Sequence, residues 1–281
     1  MMHPSFDIKQ EDFDRVNFAG TNLYIDFGAG HLAMAVMLST SGRFVGLEYY
    51  HLKNNIRQDE LREMLSNHPL LSRSFNRVLV SFNTKESVLL PEKMYHDQFK
   101  ERVLATIHGD LNTGVVLSES TDVSELKNIY RVPGFYKEEI TRLFPTGTYR
   151  HVYSTTLKVL DHRRKSFPST FMYVVFYPNQ IILTLVKDHD LQLIQTFPYD
   201  IPEDVTYHIL NIADQFELST DEILVKLSGL VDVDSVLYTD ILKYFMNVET
   251  DPRPGYFSYD EAFDAYPSHF FTPFFSLALC V

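Results

Sequence analysis

Leu23-Tyr24-Ile25-Asp26-Phe27-Gly28-Ala29-Gly30 opens a pattern that decides the fold, because the pattern returns later in the chain. An apolar run follows at 32–38, then the turn Ser39-Thr40-Ser41-Gly42, then a third run at 44–50. The same order reappears over residues 171–201. There a run at 171–176 leads to the turn Tyr177-Pro178-Asn179-Gln180, a run at 181–186, a turn at 187–190 and a run at 191–197. An offset of 149 residues sets Leu32 on Ile181 and Tyr50 on Tyr199 without a gap. Short apolar runs bounded by turn formers read as strands, so each stretch is a three-strand meander. Two meanders at one spacing read as a duplicated unit.

The elements after each meander also repeat. In the first copy, a helix at 58–67 places Leu61, Met64 and Leu65 on one side, and a strand comes next at 77–82. In the second, Pro202-Glu203-Asp204 opens a helix with proline and acids in its first turn, where free N–H groups favour them. Val205, Ile209, Ile212, Ala213 and Phe216 form its apolar stripe, and a strand comes next at 223–227, with Leu224 matching Val78. The run 32–37 is apolar at every position, which fits a strand covered on both faces; a short helix is the competing reading.

Residues 87–165 have no counterpart of comparable length in the second copy. Here the spacing predicts a helix over 92–107, a short strand at 115–117 and a strand at 129–132. Helices are expected at 135–144 and 154–164, the second of them leading into the later copy. Beyond Gly229 a helix is expected over 235–246, then a stiff turn Asp251-Pro252-Arg253-Pro254-Gly255. The apolar tail 270–279 is expected to dock on the second sheet. The domain reading is a first lobe over 1–150, with an insertion around 87–130, and a second lobe over 151–281.

Composition narrows the function classes. The chain of 281 residues is 45% hydrophobic and 14% aromatic, enough for a packed core. Lys and Arg number 25 against 37 Asp and Glu, a net charge of −12. Such a field repels nucleic acid, whose binding rests on clustered cations displacing counterions. The one basic run, His162-Arg163-Arg164-Lys165, is read as a solvated helix end. Cys280 is the only cysteine, which excludes an internal disulfide and a multi-thiolate zinc site. No signal-like segment opens the chain and no apolar run is long enough to span a bilayer, so the expectation is a cytoplasmic protein.

A meander, a helix, a parallel strand and further helix, twice over, resembles the actin-like ATPase fold. That group includes sugar kinases, Hsp70 chaperones, FtsA and PilM. The resemblance implies an α/β architecture of two ribonuclease-H-like lobes, each with a mixed five-stranded sheet flanked by helices, and a nucleotide site. In that fold an Asp-x-Gly turn in each lobe cradles phosphate and Mg. Asp26 and Gly28 match it in the first lobe; at the offset of 149 the second lobe has Val175 and Tyr177 instead. The fold's adenosine-side Gly-Gly is reduced here to Gly229, after Val225-Lys226-Leu227-Ser228. Glu203 and Asp204 stand where the second-lobe helix would otherwise receive phosphate. More closely, the chain resembles a family of uncharacterised Bacteroidetes proteins, the domain-of-unknown-function family 3822. That likeness rests on Val132-Pro133, Leu143-Phe144-Pro145, Thr196-Phe197, Pro202-Glu203-Asp204 and Ser268-His269-Phe270-Phe271.

Asp26 with Gly28 is therefore the sharpest candidate. It reads either as a phosphate or Mg²⁺ site or as a polar turn at a strand end, and the second reading is preferred. His31 reads as a polar residue at a strand start, and Asp232 with Asp234 as the cap of the helix at 235. No nucleophile elbow and no cysteine with a base is present. These residues leave two functions open. The preferred one is a non-catalytic actin-like scaffold or protein-binding module, a pseudo-ATPase with a degenerate nucleotide cleft, no cofactor and a protein partner of unknown identity. The alternative is a nucleotide-binding ATPase or kinase using ATP and Mg, with Asp26, Gly28 and Gly229 as cofactor-binding residues.

Overall fold

The computed structural model describes residues 3–28, 30–53, 56–110, 113–123 and 125–280. It divides into two compact units. One comprises Met1–His162, Tyr256–Phe263 and Ser276–Val281; the other comprises Arg163–Gly255 and Asp264–Phe275.

The first unit opens with β1 (Phe6–Lys9), β2 (Thr21–Gly28), β3 (His31–Leu38), β4 (Arg43–His51), α1 (Gln58–Ser66) and β5 (Arg77–Asn83). An insert comes next, made of β6 (Ser87–Pro91), α2 (Lys100–His108), β7 (Val115–Ser120) and β8 (Leu126–Val132); its strands form a separate sheet in the order β6-β8-β7. The chain returns through α3 (Gly134–Leu143), β9 (Thr148–His151) and α4 (Val152–His162). The main sheet runs β1-β4-β3-β2-β5-β9. The β2-β3-β4 neighbours are antiparallel, while β5 and β9 run parallel to β2.

β3 is a strand, and its uniform apolarity has the cause expected of it. Leu32, Met34 and Val36 join a core with Leu23, Ile25, Phe27, Val80 and Phe82, covered by Leu61 and Leu65 of α1 and Ile140 of α3. Ala33 and Ala35 are equally buried on the opposite face. Replacing a residue such as Leu61 by Ala would cost about 2–5 kcal/mol, because a packed core closes poorly over the gap.

The second unit contains β10 (Phe171–Tyr177), β11 (Gln180–Lys187), β12 (Asp190–Pro198), α5 (Pro202–Gln215), β13 (Leu224–Gly229), α6 (Val236–Leu242) and β14 (Asn247–Thr250). Its sheet order is β12-β11-β10-β13-β14, with the same strand senses. Set beside β4-β3-β2-β5-β9, this is the same five-strand arrangement. Val205, Ile209 and Ile212 of α5 pack on Met172, Val174, Phe176 and Leu183. The chain closes with β15 (Ser258–Tyr259), which pairs with β4, and α7 (Thr272–Ser276).

The register corrects the gapless offset of 149. It holds for the first two strands, since Phe27 faces Leu32 and Phe176 faces Ile181. In the third strand, however, Leu32 faces Tyr50 while Ile181 faces Phe197, so Tyr50 corresponds to Phe197 rather than Tyr199. The cause is the hairpin: Leu38 pairs with Arg43 across four residues, whereas Lys187 pairs with Asp190 across two. Asp188 and His189 both take positive φ there, as a tight two-residue turn requires. Each copy bulges at matching positions, between Val36 and Met37 and between Leu185 and Val186.

Several expectations give way to tertiary context. The helix at 92–107 forms only as α2 from Lys100, because Tyr95 and His96 are extended and the Tyr95 hydroxyl is held by Asp97 and by Ser118 of β7 (2.6 Å each). Strands β6 and β9, which carry no clear alternation, were not expected. The helix at 235–246 stops at Leu242, where Lys243 and Tyr244 tighten the last turn and Met246 N–H bonds Thr220 O, drawing the chain into β14. The tail is split: Phe271, Phe274 and Phe275 belong to the second unit, but Leu277–Cys280 packs on α4 of the first. Arg163 is no solvated end, since its guanidinium pairs with the buried Asp251 carboxylate at 2.5 and 2.8 Å. Tyr173 OH donates to the same carboxylate (2.8 Å).

Candidate functional site

β2, β5 and β9 run parallel, so their carboxyl ends meet: Gly28 is in register with Asn83, and Phe82 with His151. In open α/β sheets that end is where ligands usually sit. Asp26 lies there, in a row with Ser81 of β5 and Arg150 of β9.

Asp26 is buried, and its Oδ1 has two side-chain partners: His31 Nε2 at 2.5 Å and Asn83 Nδ2, which donates at 3.2 Å. His31 and Asn83 are themselves almost wholly buried. The His31 ring stacks on Tyr49 of β4, 5.8 Å between centroids and 3° from parallel. A carboxylate with no access to water needs such partners, since an unpaired buried charge is costly. Gly28 has a steric role as well: a Cβ there would come within 2.9 Å of both Asn83 O and His31 Cε1. Ala29, in the turn itself, lies outside the described residues. The Ser81 hydroxyl, beside Asp26, is buried with no hydrogen-bond partner among the described residues.

A second acid closes the end of β9. Glu119 Oε1 accepts the backbone N–H of His151 (2.8 Å), at the N-terminal end of α4, where free amides and the helix dipole favour an anion. Burial pushes the Glu119 carboxyl up, against hydrogen bonds from Ser154 and from the His151 amide. The His151 ring is buried and pushed down to about 3, so it is neutral. Its Nδ1 accepts Tyr153 N–H (3.1 Å), which leaves the proton on Nε2, donated to Thr84 O (2.9 Å). Glu119, His151 and Asn83 were not among the expected site residues. Glu119 lies in the polar half of β7, beyond the strand expected at 115–117, so no sequence signal pointed to it.

In the second unit, Asp204 acts within α5's own first turn. Its Oδ2 accepts the N–H groups of Asp200 (2.9 Å) and Ile201 (3.2 Å), and these bonds hold its carboxyl below the usual range. Gly229 sits at φ +85, and a Cβ would fall 2.4 Å from Phe176 O. Its N–H donates to His269 O and the next amide to Phe176 O, both at 3.0 Å. Asp232 accepts Asp234 N–H and the Ser235 side chain caps α6 by accepting Tyr238 N–H, the structural role expected of that cluster.

No curated protein matches the chain. A family model described as "Protein of unknown function (DUF3822)" matches residues 10–248. Among solved structures, a Bacteroides thetaiotaomicron protein with actin-like ATPase fold and unknown function is similar at TM-score 0.73 and 15% identity, over 86% of this chain and 94% of that one. A PilM-PilN type IV pilus biogenesis complex is similar at TM-score 0.54 and 13% identity, over 92% and 96%. The fold is therefore actin-like. No helix among the described residues is long and apolar enough to cross a membrane.

Proposed function

The chain belongs to the DUF3822 family, and from that premise we propose that it is a non-catalytic, actin-like scaffold or protein-binding module. We take residues 1–150 and 151–281 as its two ancestral copies and the nucleotide positions of both as degenerate. The observation that carries this reading is the Asp26 carboxylate, buried and held by His31 and Asn83. A metal-binding aspartate needs oxygen lone pairs directed at the ion and room for its waters. Asp204 at α5 and Glu119 at α4 add to the argument, because each puts the protein's own carboxyl group on amides that could hold phosphate. Gly28 and Gly229 each have a packing reason that involves no ligand. The residues present thus fit a Mg-nucleotide poorly.

A protein partner fits this reading, and the similar PilM structure is of that protein in complex with PilN. The net charge of −12 argues against nucleic acid as the partner. The reading places the protein in the cytoplasm.

The test is a melting curve with and without ATP and Mg²⁺. A native-state ligand at 100 times its Kd adds about 2.7 kcal/mol, which at ~2–4 °C per kcal/mol would raise Tm by roughly 5–10 °C. No shift is expected. An upward shift that Asp26→Asn removes would establish the nucleotide-binding alternative, with Asp26, Gly28 and Gly229 as its residues.

A further inference from the structure

The first unit holds a cavity of about 420 Å³, apart from the residues around Asp26. It lies between the end of β4, the segment leading into α1, and one face of α1 and its C-cap. On that face Glu60, Glu63, Met64 and Asn67 fall at i, i+3, i+4 and i+7. Small-molecule sites typically span roughly 300–1,000 Å³, with apolar walls and a few polar groups.

The cavity has an apolar bottom and a charged rim. Tyr50 and Ile56 are buried and Met64 is half-buried, and the buried His68 ring closes the wall beside Tyr50. The polar side-chain atoms at the bottom are already engaged. Tyr50 OH donates to Glu48 Oε2 (2.9 Å) and lies 2.8 Å from His68 Nε2, while His68 Nδ1 accepts Leu70 N–H (3.2 Å). The bottom therefore offers mainly carbon surface, and the same bonds hold the Tyr50 ring in place. Lys53, Glu63 and Asn67 are exposed at the rim. Glu60, the other rim acid, is occupied by Arg57, whose Nη2 and backbone N–H approach it at 3.3 and 3.4 Å. Among the described residues, neither Lys53 nor Glu63 has an ion-pair partner.

We propose that this cavity binds an α-amino acid with a large apolar or aromatic side chain, its carboxylate on Lys53, its ammonium on Glu63 and its side chain against Tyr50, Ile56 and Met64. The distribution of charge selects this class. One free cation and one free anion share the rim, and an α-amino acid carries both charges at one end with its apolar body at the other. An apolar anion such as a fatty acid would leave Glu63 opposed by like charge, and an apolar amine would do the same to Lys53. A peptide carries its charges at two separate ends. A nucleotide's phosphates would meet the carboxylates of Glu60 and Glu63.

Calorimetric titration of the full chain with L-phenylalanine and L-leucine tests the site. At least one of them should bind saturably, one per chain. Glycine lacks the apolar body, phenethylamine the carboxylate and 3-phenylpropionate the ammonium; each should bind at least about tenfold more weakly, as the loss of one buried side chain or one charge-assisted hydrogen bond requires. Lys53→Met should weaken L-phenylalanine about tenfold without weakening phenethylamine, and Glu63→Gln should weaken it equally without weakening 3-phenylpropionate. Both side chains are exposed, so neither change should move the Tm of the ligand-free protein. Absence of saturable binding of either amino acid at millimolar concentration would overturn the proposal. So would phenethylamine or 3-phenylpropionate binding as tightly as L-phenylalanine, or either variant keeping the wild-type affinity.

Discussion

Glu48 gives the most direct test of how the first sheet is packed. It stands on the core face of β4, about 5% exposed, in contact with three groups. Lys9 Nζ of β1 donates at 2.8 Å, His68 Nε2 lies at 2.9 Å and Tyr50 OH donates at 2.9 Å. Leu70 N–H donates to His68 Nδ1 (3.2 Å), so the neutral ring carries its proton on Nε2, toward Glu48 and Tyr50. Burial alone would raise the carboxyl, but the hydrogen bonds from His68 and Lys9, with the charge of Lys9, outweigh it and hold Glu48 at about 2, against an ordinary 4.5. At ~1.36 kcal/mol per tenfold change in proton affinity, the ionised carboxylate stabilises the fold by about 3 kcal/mol. Because the folded value is the lower one, that contribution is complete above about pH 5. It is lost as pH falls through the range from 4.5 toward 2. Glu48→Gln removes the ionisation and keeps the shape. Urea and thermal melts of both proteins across pH 2–8 should show a wild-type advantage of roughly 6–12 °C at neutral pH, at ~2–4 °C per kcal/mol, that vanishes in acid. Parallel acid limbs for the two proteins would refute the account, whatever the offset between them.

Two further outcomes are expected. Gly229→Ala drives a Cβ against Phe176 O in a left-handed backbone conformation, so it should lower stability by about 2 kcal/mol or more in a denaturant titration, while Gly255→Ala, which has open space, should change little. Burial pushes the Cys280 thiol up to about 12. Thiol-reactive dyes at pH 8 should therefore label the native protein far more slowly than the urea-unfolded chain, with both reaching one label per chain at completion.

The strand and helix order was legible because it depends on local chemistry. Turn formers at 39–42, 177–180 and 187–190 separate apolar runs too short for helices, and the α5 stripe from Val205 to Ala213 repeats at helical spacing. Elements without such a signal were missed. β6 and β9 are short and half-exposed, and residues 92–99 read as helix although tertiary hydrogen bonds of Tyr95 pull them out of it. The third-strand register was misaligned by two residues because a hairpin can lose residues without altering the apolar pattern on either side.

The candidate site divides in the same way. Sequence alone determined that the first copy carries Asp26 and Gly28 and that the second has Val175 and Tyr177 in their place, since residue identity is all that such a difference requires. It also established the duplication, because the spacing of apolar runs and turns survives where identity does not. Tertiary structure decided what Asp26 touches, because Asn83 is 57 positions away in sequence and is brought into reach only by the parallel pairing of β2 with β5. The same holds for Glu119, carried from the insert to the start of α4. Hydrogen bonds and strand edges belong to pairs of segments, and pairing is settled by the packing of the whole sheet.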